Sequence, residues 1–354
     1  MPVLYYSSSV LMGFLAIYGL SVGGIWSFSF VLFTFGLIPL LELGLAPDSS
    51  NLPKELFLKR KEHFFPESLL FLVLPLQYTL VWIYLDHVNQ YDLVSWIGAT
   101  LSLGVACGAY GINVAHELGH RTSEYHKLTS KSLLLTSLYM HFFIEHNRGH
   151  HRNVSTPHDP ASARLGESVY QFWWRSVIGS FKSAWHLEKK RLQRKEQSEW
   201  SFKNQMVRFL LIELGFVGFI FGYWGGFALF SFLICAVFGF LLLETVNYIE
   251  HYGLQRKEKK PGRYEPVQPI HSWNSDHPVG RIVLFELSRH SDHHANPRRP
   301  YAILRHHEES LQLPTGYPGM ILFALLPFLF IPYMDKYIQK EHQRLDLNQV
   351  PVAS

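Results

Sequence analysis

Leu93-Val-Ser-Trp-Ile-Gly-Ala-Thr-Leu-Ser-Leu-Gly-Val-Ala-Cys-Gly-Ala-Tyr-Gly-Ile-Asn-Val-Ala-His-Glu-Leu-Gly-His120 is an apolar run, uncharged through Ala115, that ends in two histidines four residues apart. At 1.5 Å of rise per residue, Leu93–Ala115 is long enough as a helix to cross a hydrocarbon core of about 30 Å. Residues i and i+4 lie on one face of a helix, so His116 and His120 present two imidazoles about one turn apart. Neutral imidazole suits iron, copper and zinc. The stretch therefore reads as a membrane span that delivers metal ligands to a membrane surface.

The rest of the chain repeats the first half of that pattern. Hydrophobic residues make up 48% and charged residues only 17%, low against the usual ~25%. The charges cluster, leaving further apolar spans at about 3–23, 25–45, 67–85, 207–224 and 227–246. Met320–Pro332 is shorter and reads as re-entrant or interfacial. The start lacks the basic region of a cleavable signal, and a second span follows at once. All 32 Lys and Arg avoid the loops Asp86–Asp92 and Gly225–Gly226. By the positive-inside rule, six spans then place both termini and every histidine cluster in the cytoplasm, in a cap formed by 116–206 and 251–354. The expected fold is an all-α integral membrane protein of the cytoplasmic membrane, built as a single domain. The net charge of +4 is explained by those loops and calls for no nucleic acid. Cys107 and Cys235 fall within spans and read as reduced, buried apolar residues. Tyr170–Glu196 reads as an amphipathic helix, with Phe172, Trp173, Trp174, Phe181 and Trp185 giving way to Lys189, Lys190, Arg191, Arg194 and Lys195. Such a helix suits lipid headgroups, or it packs its aromatics inward.

Nine of the 20 histidines fall in three boxes and one outlier. His146, His150 and His151 repeat the first spacing. His290, His293 and His294 give its i, i+3, i+4 form. His251 extends the last span. Nine imidazoles exceed what one ion can hold, so the count points to two metals. Glu117, Glu145, Glu250 and Asp292 adjoin these histidines, and some of them are expected to accept the second ring N–H of a ligand. His63, His87, His126, His186 and His342 lack such context and read as structural or exposed. His116-Glu117-Leu-Gly-His120 also fits the H-E-x-x-H of zinc proteases, but that reading leaves six clustered histidines unused. A metal transporter would place ionisable groups within the spans, where almost none occur. An oxygen-activating di-iron centre at the membrane surface accounts for all nine, with a hydrocarbon reaching it through the lipid.

These residues resemble the integral-membrane alkane 1-monooxygenases, within the larger group of fatty-acid desaturase-like hydroxylases. The resemblance is carried by His116–His120, Phe143-Ile-Glu-His-Asn-Arg-Gly-His-His151, Asn247-Tyr-Ile-Glu-His-Tyr-Gly253 and Arg289-His-Ser-Asp-His-His294. Thr156-Pro-His-Asp-Pro-Ala161, His271-Ser-Trp-Asn274 and Leu313-Pro-Thr-Gly-Tyr-Pro-Gly319 extend it over nearly the whole chain. It implies that His116, His120, His146, His150, His151, His251, His290, His293 and His294 ligate two irons. It also implies O₂ as co-substrate and electrons from rubredoxin, reloaded by rubredoxin reductase. With no Cys-x-x-Cys pair, rubredoxin is expected as a separate protein, steered to the basic face.

The reaction so implied is hydroxylation of the terminal methyl of medium- or long-chain n-alkanes. Xylene-type methyl hydroxylation and fatty-acyl desaturation are the nearest alternatives. Two positions depart from the family pattern: Ser288 stands where glutamine is usual, and Arg121 where lysine is commoner. Phe30, Phe33, Phe35, Tyr78 and Trp82, on the first two helical hairpins, are the candidate walls of a substrate channel.

Overall fold

A computed structural model describes residues 2–61 and 63–345. Six helices are long and apolar enough to cross a membrane: α1 Val3–Val22, α2 Gly24–Gly44, α3 Phe64–His87, α4 Leu93–Gly119, α6 Gln205–Trp224 and α7 Gly226–His251. Between the fourth and fifth of them lies α5, Val169–Gln193. Further helices follow, among them α8 His290–Ala295, α9 Tyr317–Ala324 and α10 Pro327–Arg344. The six spans match the apolar runs of the sequence, and the structure is that of a multi-pass membrane protein. Two of them run further than hydropathy alone suggests. α4 continues through His116 and α7 through His251, because polar residues can extend a helix beyond the apolar zone without losing its backbone bonds.

Small strands qualify the all-α expectation. β1 Glu258–Lys260 pairs antiparallel with β2 Arg263–Tyr264, with Glu258 opposite Tyr264. β3 Trp273–Asn274 pairs parallel with β4 Leu311–Gln312, Trp273 opposite Leu311.

The chain forms two compact, interleaved units. The first comprises Met1–Gly36, Phe64–Gly149 and Ser180–Leu243; the second comprises Leu37–His63, His150–Gly179 and Glu244–Ser354. In the first unit, Gly104 and Gly108 lie four apart on α4 and face α7. A Cβ at Gly104 would come within 2.6 Å of Phe238, and one at Gly108 within 2.8 Å of Leu242. Small residues at this spacing let two apolar helices pack backbone to backbone, the usual basis of association in lipid. A π turn at Cys107–Ile112 follows and leads into the segment carrying His116. Gln77, fully buried, donates to Thr136 Oγ1 at 3.2 Å beside this turn. Both cysteines are free and buried.

In the second unit, Arg281 and Arg289 clasp the linker after α2. Arg281 donates to Glu286 at 2.7 Å and to the Asp48 carbonyl at 2.6 Å. Arg289 donates to the carbonyls of Leu304 at 2.9 Å and Ser50 at 2.8 Å. The residue before His290 is thus fixed by buried backbone partners. Two residues past the end of α7, Gly253 has a φ of 72°, the left-handed conformation that favours glycine. Its amide donates to Ala163 at 3.1 Å.

Candidate metal centre

The boxed histidines gather as a trio, a quartet and a pair. In the first unit, α4 supplies His116 and His120, and a π turn at His146–His150 supplies His146. The His116 ring lies 4.4 Å from that of His146 and 5.1 Å from that of His120, centroid to centroid. His120 Nε2 faces His146 Nε2 at 3.1 Å. In the second unit, His150 faces His294 at 3.3 Å and His251 faces His290 at 3.3 Å, in each case Nε2 to Nε2. The ligand nitrogens of these four all lie within 4.8 Å of one another. None of the four rings is more than 4% exposed. His151 and His293, also in the second unit, face each other through Nε2 at 3.2 Å.

The sequence pairs His146 with His150 on one helical face. The structure departs from this: the π turn replaces α-helical spacing, and His146 joins the trio while His150 joins the quartet. The third box is divided as well. His290 and His294, one turn apart on α8, serve the quartet, and His293 turns to His151. His251, the outlier, sits inside the quartet. Outside these groups, His126 pairs with Glu67 at 2.7 Å and His186 is exposed.

The donor set fits a transition metal. An imidazole nitrogen binds such an ion at about 2.1 Å, which places neighbouring ligand nitrogens about 3.0–3.4 Å apart. The Nε2 separations fall in that range. Burial, followed by the neighbouring His290, His151, His150 and His251, pushes His294 well below the usual histidine range. Its ring is therefore neutral, the form that ligates.

A carboxylate orients one of the four. His150 Nδ1 bonds Asp159 Oδ2 at 2.9 Å, which leaves Nε2 to the centre. Asp159 also accepts from the Ser162 hydroxyl at 2.5 Å and from the Ala161 amide at 3.2 Å. Burial alone would raise the Asp159 carboxyl, but His150 and Ser162 bring it below the ordinary value and hold it ionised. Sequence reasoning passed over Asp159. The only sign of it was the Thr156–Ala161 stretch, which carries no helical spacing to the box.

The four expected carboxylates behave differently. Glu250 Oε2 lies 3.2 Å from His290 Nε2, the nitrogen that faces His251, so it stands beside the ligand atom and not behind the ring. Its other oxygen accepts from the Tyr317 hydroxyl at 2.8 Å. Asp292 is bound elsewhere. It accepts from Arg299, from His307 Nε2 at 2.8 Å and from the Arg305 amide at 2.9 Å, none of which is a boxed histidine. Burial would raise its carboxyl, yet the His307 bond and Arg299 hold it below the usual value. Lying between His290 and His293 on α8, it faces the loop that follows the helix. Glu117 is paired with Arg121, and Glu145 accepts from Ser183 at 3.2 Å. Ser288 is buried, and its hydroxyl has no hydrogen-bond partner among the described residues.

Tyr317→Phe removes one donor to a buried carboxylate, an effect of about 1–3 kcal/mol. The expected outcome is turnover lowered by about 5- to 150-fold with metal content unchanged, read by parallel assay and metal analysis.

Of the channel candidates, Phe30 is buried against Tyr110 with centroids 5.5 Å apart, and Phe33 and Phe35 are half-buried on a π turn at Phe33–Leu37. Tyr78 spends its hydroxyl on the Ser132 carbonyl at 2.8 Å. Trp82 is 49% exposed and sits among Tyr223 and Trp224, with its centroid 5.0 Å from Trp224. An aromatic cluster at the end of a span suits the membrane boundary rather than an internal wall.

Six spans, two of them ending in boxed histidines, belong to a membrane protein of the fatty acid desaturase family, whose model, described as Fatty acid desaturase, matches residues 92–324. Within it the chain belongs to the alkane 1-monooxygenases. It is 38% identical to Alkane 1-monooxygenase 1 of Alcanivorax borkumensis over 93% of this chain and 81% of that one. It is 41% identical to Alkane 1-monooxygenase of Ectopseudomonas oleovorans over 90% of this chain and 79% of that one. A xylene/toluene monooxygenase hydroxylase component of Pseudomonas putida is 28% identical over 79% of this chain and 76% of that one.

Proposed function

We propose that this chain hydroxylates the terminal methyl of medium- and long-chain n-alkanes to 1-alkanols. The observation that carries this reading is the near full-length match to proteins named alkane 1-monooxygenase. The lower identity of the xylene-type relative makes methyl hydroxylation on an aromatic ring the second choice. A zinc protease is disfavoured by the pairing of Glu117 with Arg121, since a general base neutralised by arginine would be a poor one.

In this reading the boxed histidines hold two irons, with His150, His251, His290 and His294 serving one of them. Iron bound there would supply activation of O₂ and insertion of one oxygen atom into a C–H bond. The protein's part is positioning. Asp159 fixes the tautomer of His150, Tyr317 orients Glu250 beside His290, and burial of the four rings keeps bulk water from them. Electrons would come from reduced rubredoxin, itself reloaded by rubredoxin reductase. The centre and both termini would face the cytoplasm across the inner membrane, in keeping with the one-sided Lys and Arg.

The test is product analysis from membranes supplied with rubredoxin, rubredoxin reductase and NADH, on octane, hexadecane and xylene. The expected result is O₂-dependent 1-alkanol, with alkane preferred to xylene. An alkene product, or none that depends on O₂, would overturn the proposal.

A further inference from the structure

The second unit carries a broad apolar surface outside all six spans. On α5, Tyr170, Trp174 and Ile178 recur every fourth residue and are 45%, 76% and 47% exposed. At the junction of α9 and α10, Leu326, Phe328 and Leu329 are 43%, 71% and 49% exposed. The Tyr170 hydroxyl donates to the Leu325 carbonyl at 2.8 Å, so the two groups form one continuous surface. In water a patch of this kind would be a liability.

Its depth is set by what lies behind it. On the inner side of α5, Trp173 donates to Thr245 at 3.0 Å and Phe172 meets Tyr248. On the inner side of α10, Phe330 meets Tyr248 and Tyr252, with centroids 5.2 and 5.1 Å apart. Thr245 and Tyr248 belong to the last turns of the span α7, and Tyr252 follows directly. Both elements therefore flank the end of a membrane-crossing helix and turn their apolar sides outward at that level. Further along α10, Lys336 and Lys340 are exposed. Apolar bodies followed by basic heads are the pattern of a helix seated at lipid headgroups.

We propose that α5 and the α9–α10 junction form a collar inserted in the leaflet on the histidine side, with Lys336 and Lys340 at its anionic headgroups. The surface it occupies is continuous with the lipid already required around α7, and its charge complements an anionic membrane. The proposal does not depend on the reaction catalysed.

The test uses the full chain in nanodiscs of phosphatidylethanolamine and phosphatidylglycerol, spin-labelled at Trp174→Cys, at Phe328→Cys and, as the water-exposed control, at Arg298→Cys. Leu329→Cys is the reserve position should either collar variant fail to fold. Cys107 and Cys235 are buried and remain as they are. Collisions with oxygen relative to those with a water-soluble nickel chelate are expected to be roughly threefold or more higher at the collar positions than at 298, as for a helix embedded at the headgroup level. Nickel access at 174 and 328 equal to that at 298 would overturn the proposal. Spin–spin broadening at those positions would also overturn it, by assigning the patch to a second copy of the chain.

Discussion

Replacing His251 with alanine is expected to remove one of two irons per chain and to abolish alkane oxidation. His251 is fully buried, and its Nε2 faces that of His290 at 3.3 Å. Its loss leaves three imidazoles where four stood, and nothing in alanine replaces the donor. The fall in metal affinity should exceed the roughly 10–100-fold that loss of an outer hydrogen-bond partner costs. Metal analysis of the purified variant reads this directly, with circular dichroism to establish that the helices persist. Partial recovery on adding free imidazole would separate a missing ligand from a collapsed core. An alanine variant that retains two irons and wild-type turnover would remove His251 from the centre.

Asp159→Asn carries the next largest effect. The change conserves shape but removes the charge that holds the His150 N–H, while Ser162 still donates to the site. Iron affinity is expected to fall by about 10–100-fold, measured as the chelator concentration that strips half the metal. Asp159→Glu should restore part of it if its longer arm still reaches Nδ1. Retention of wild-type affinity in the asparagine variant would reduce Asp159 to a loop-packing residue.

Much of the fold was legible because it rests on one-dimensional signals. Uncharged runs of about 20 residues, with the one-sided Lys and Arg, identify the spans. The boxes were legible for a related reason, since spacings of three and four repeat along a helix face. The division of ligands was not legible. Whether His146 and His150 share a partner depends on a π turn, and nothing in His-Asn-Arg-Gly-His distinguishes that turn from an α-helical one. Asp159 and Tyr317 were equally hidden. Each meets the centre through a loop or a distant helix, where sequence separation says nothing of contact. Trp82 shows the same limit: an aromatic within a span reads alike whether it faces a channel or the membrane boundary.

The metal content of the purified chain, expressed per polypeptide, bears most directly on the proposed di-iron centre. Two irons per chain is the expected value. One zinc per chain, or a single iron that no reconstitution raises to two, would contradict it.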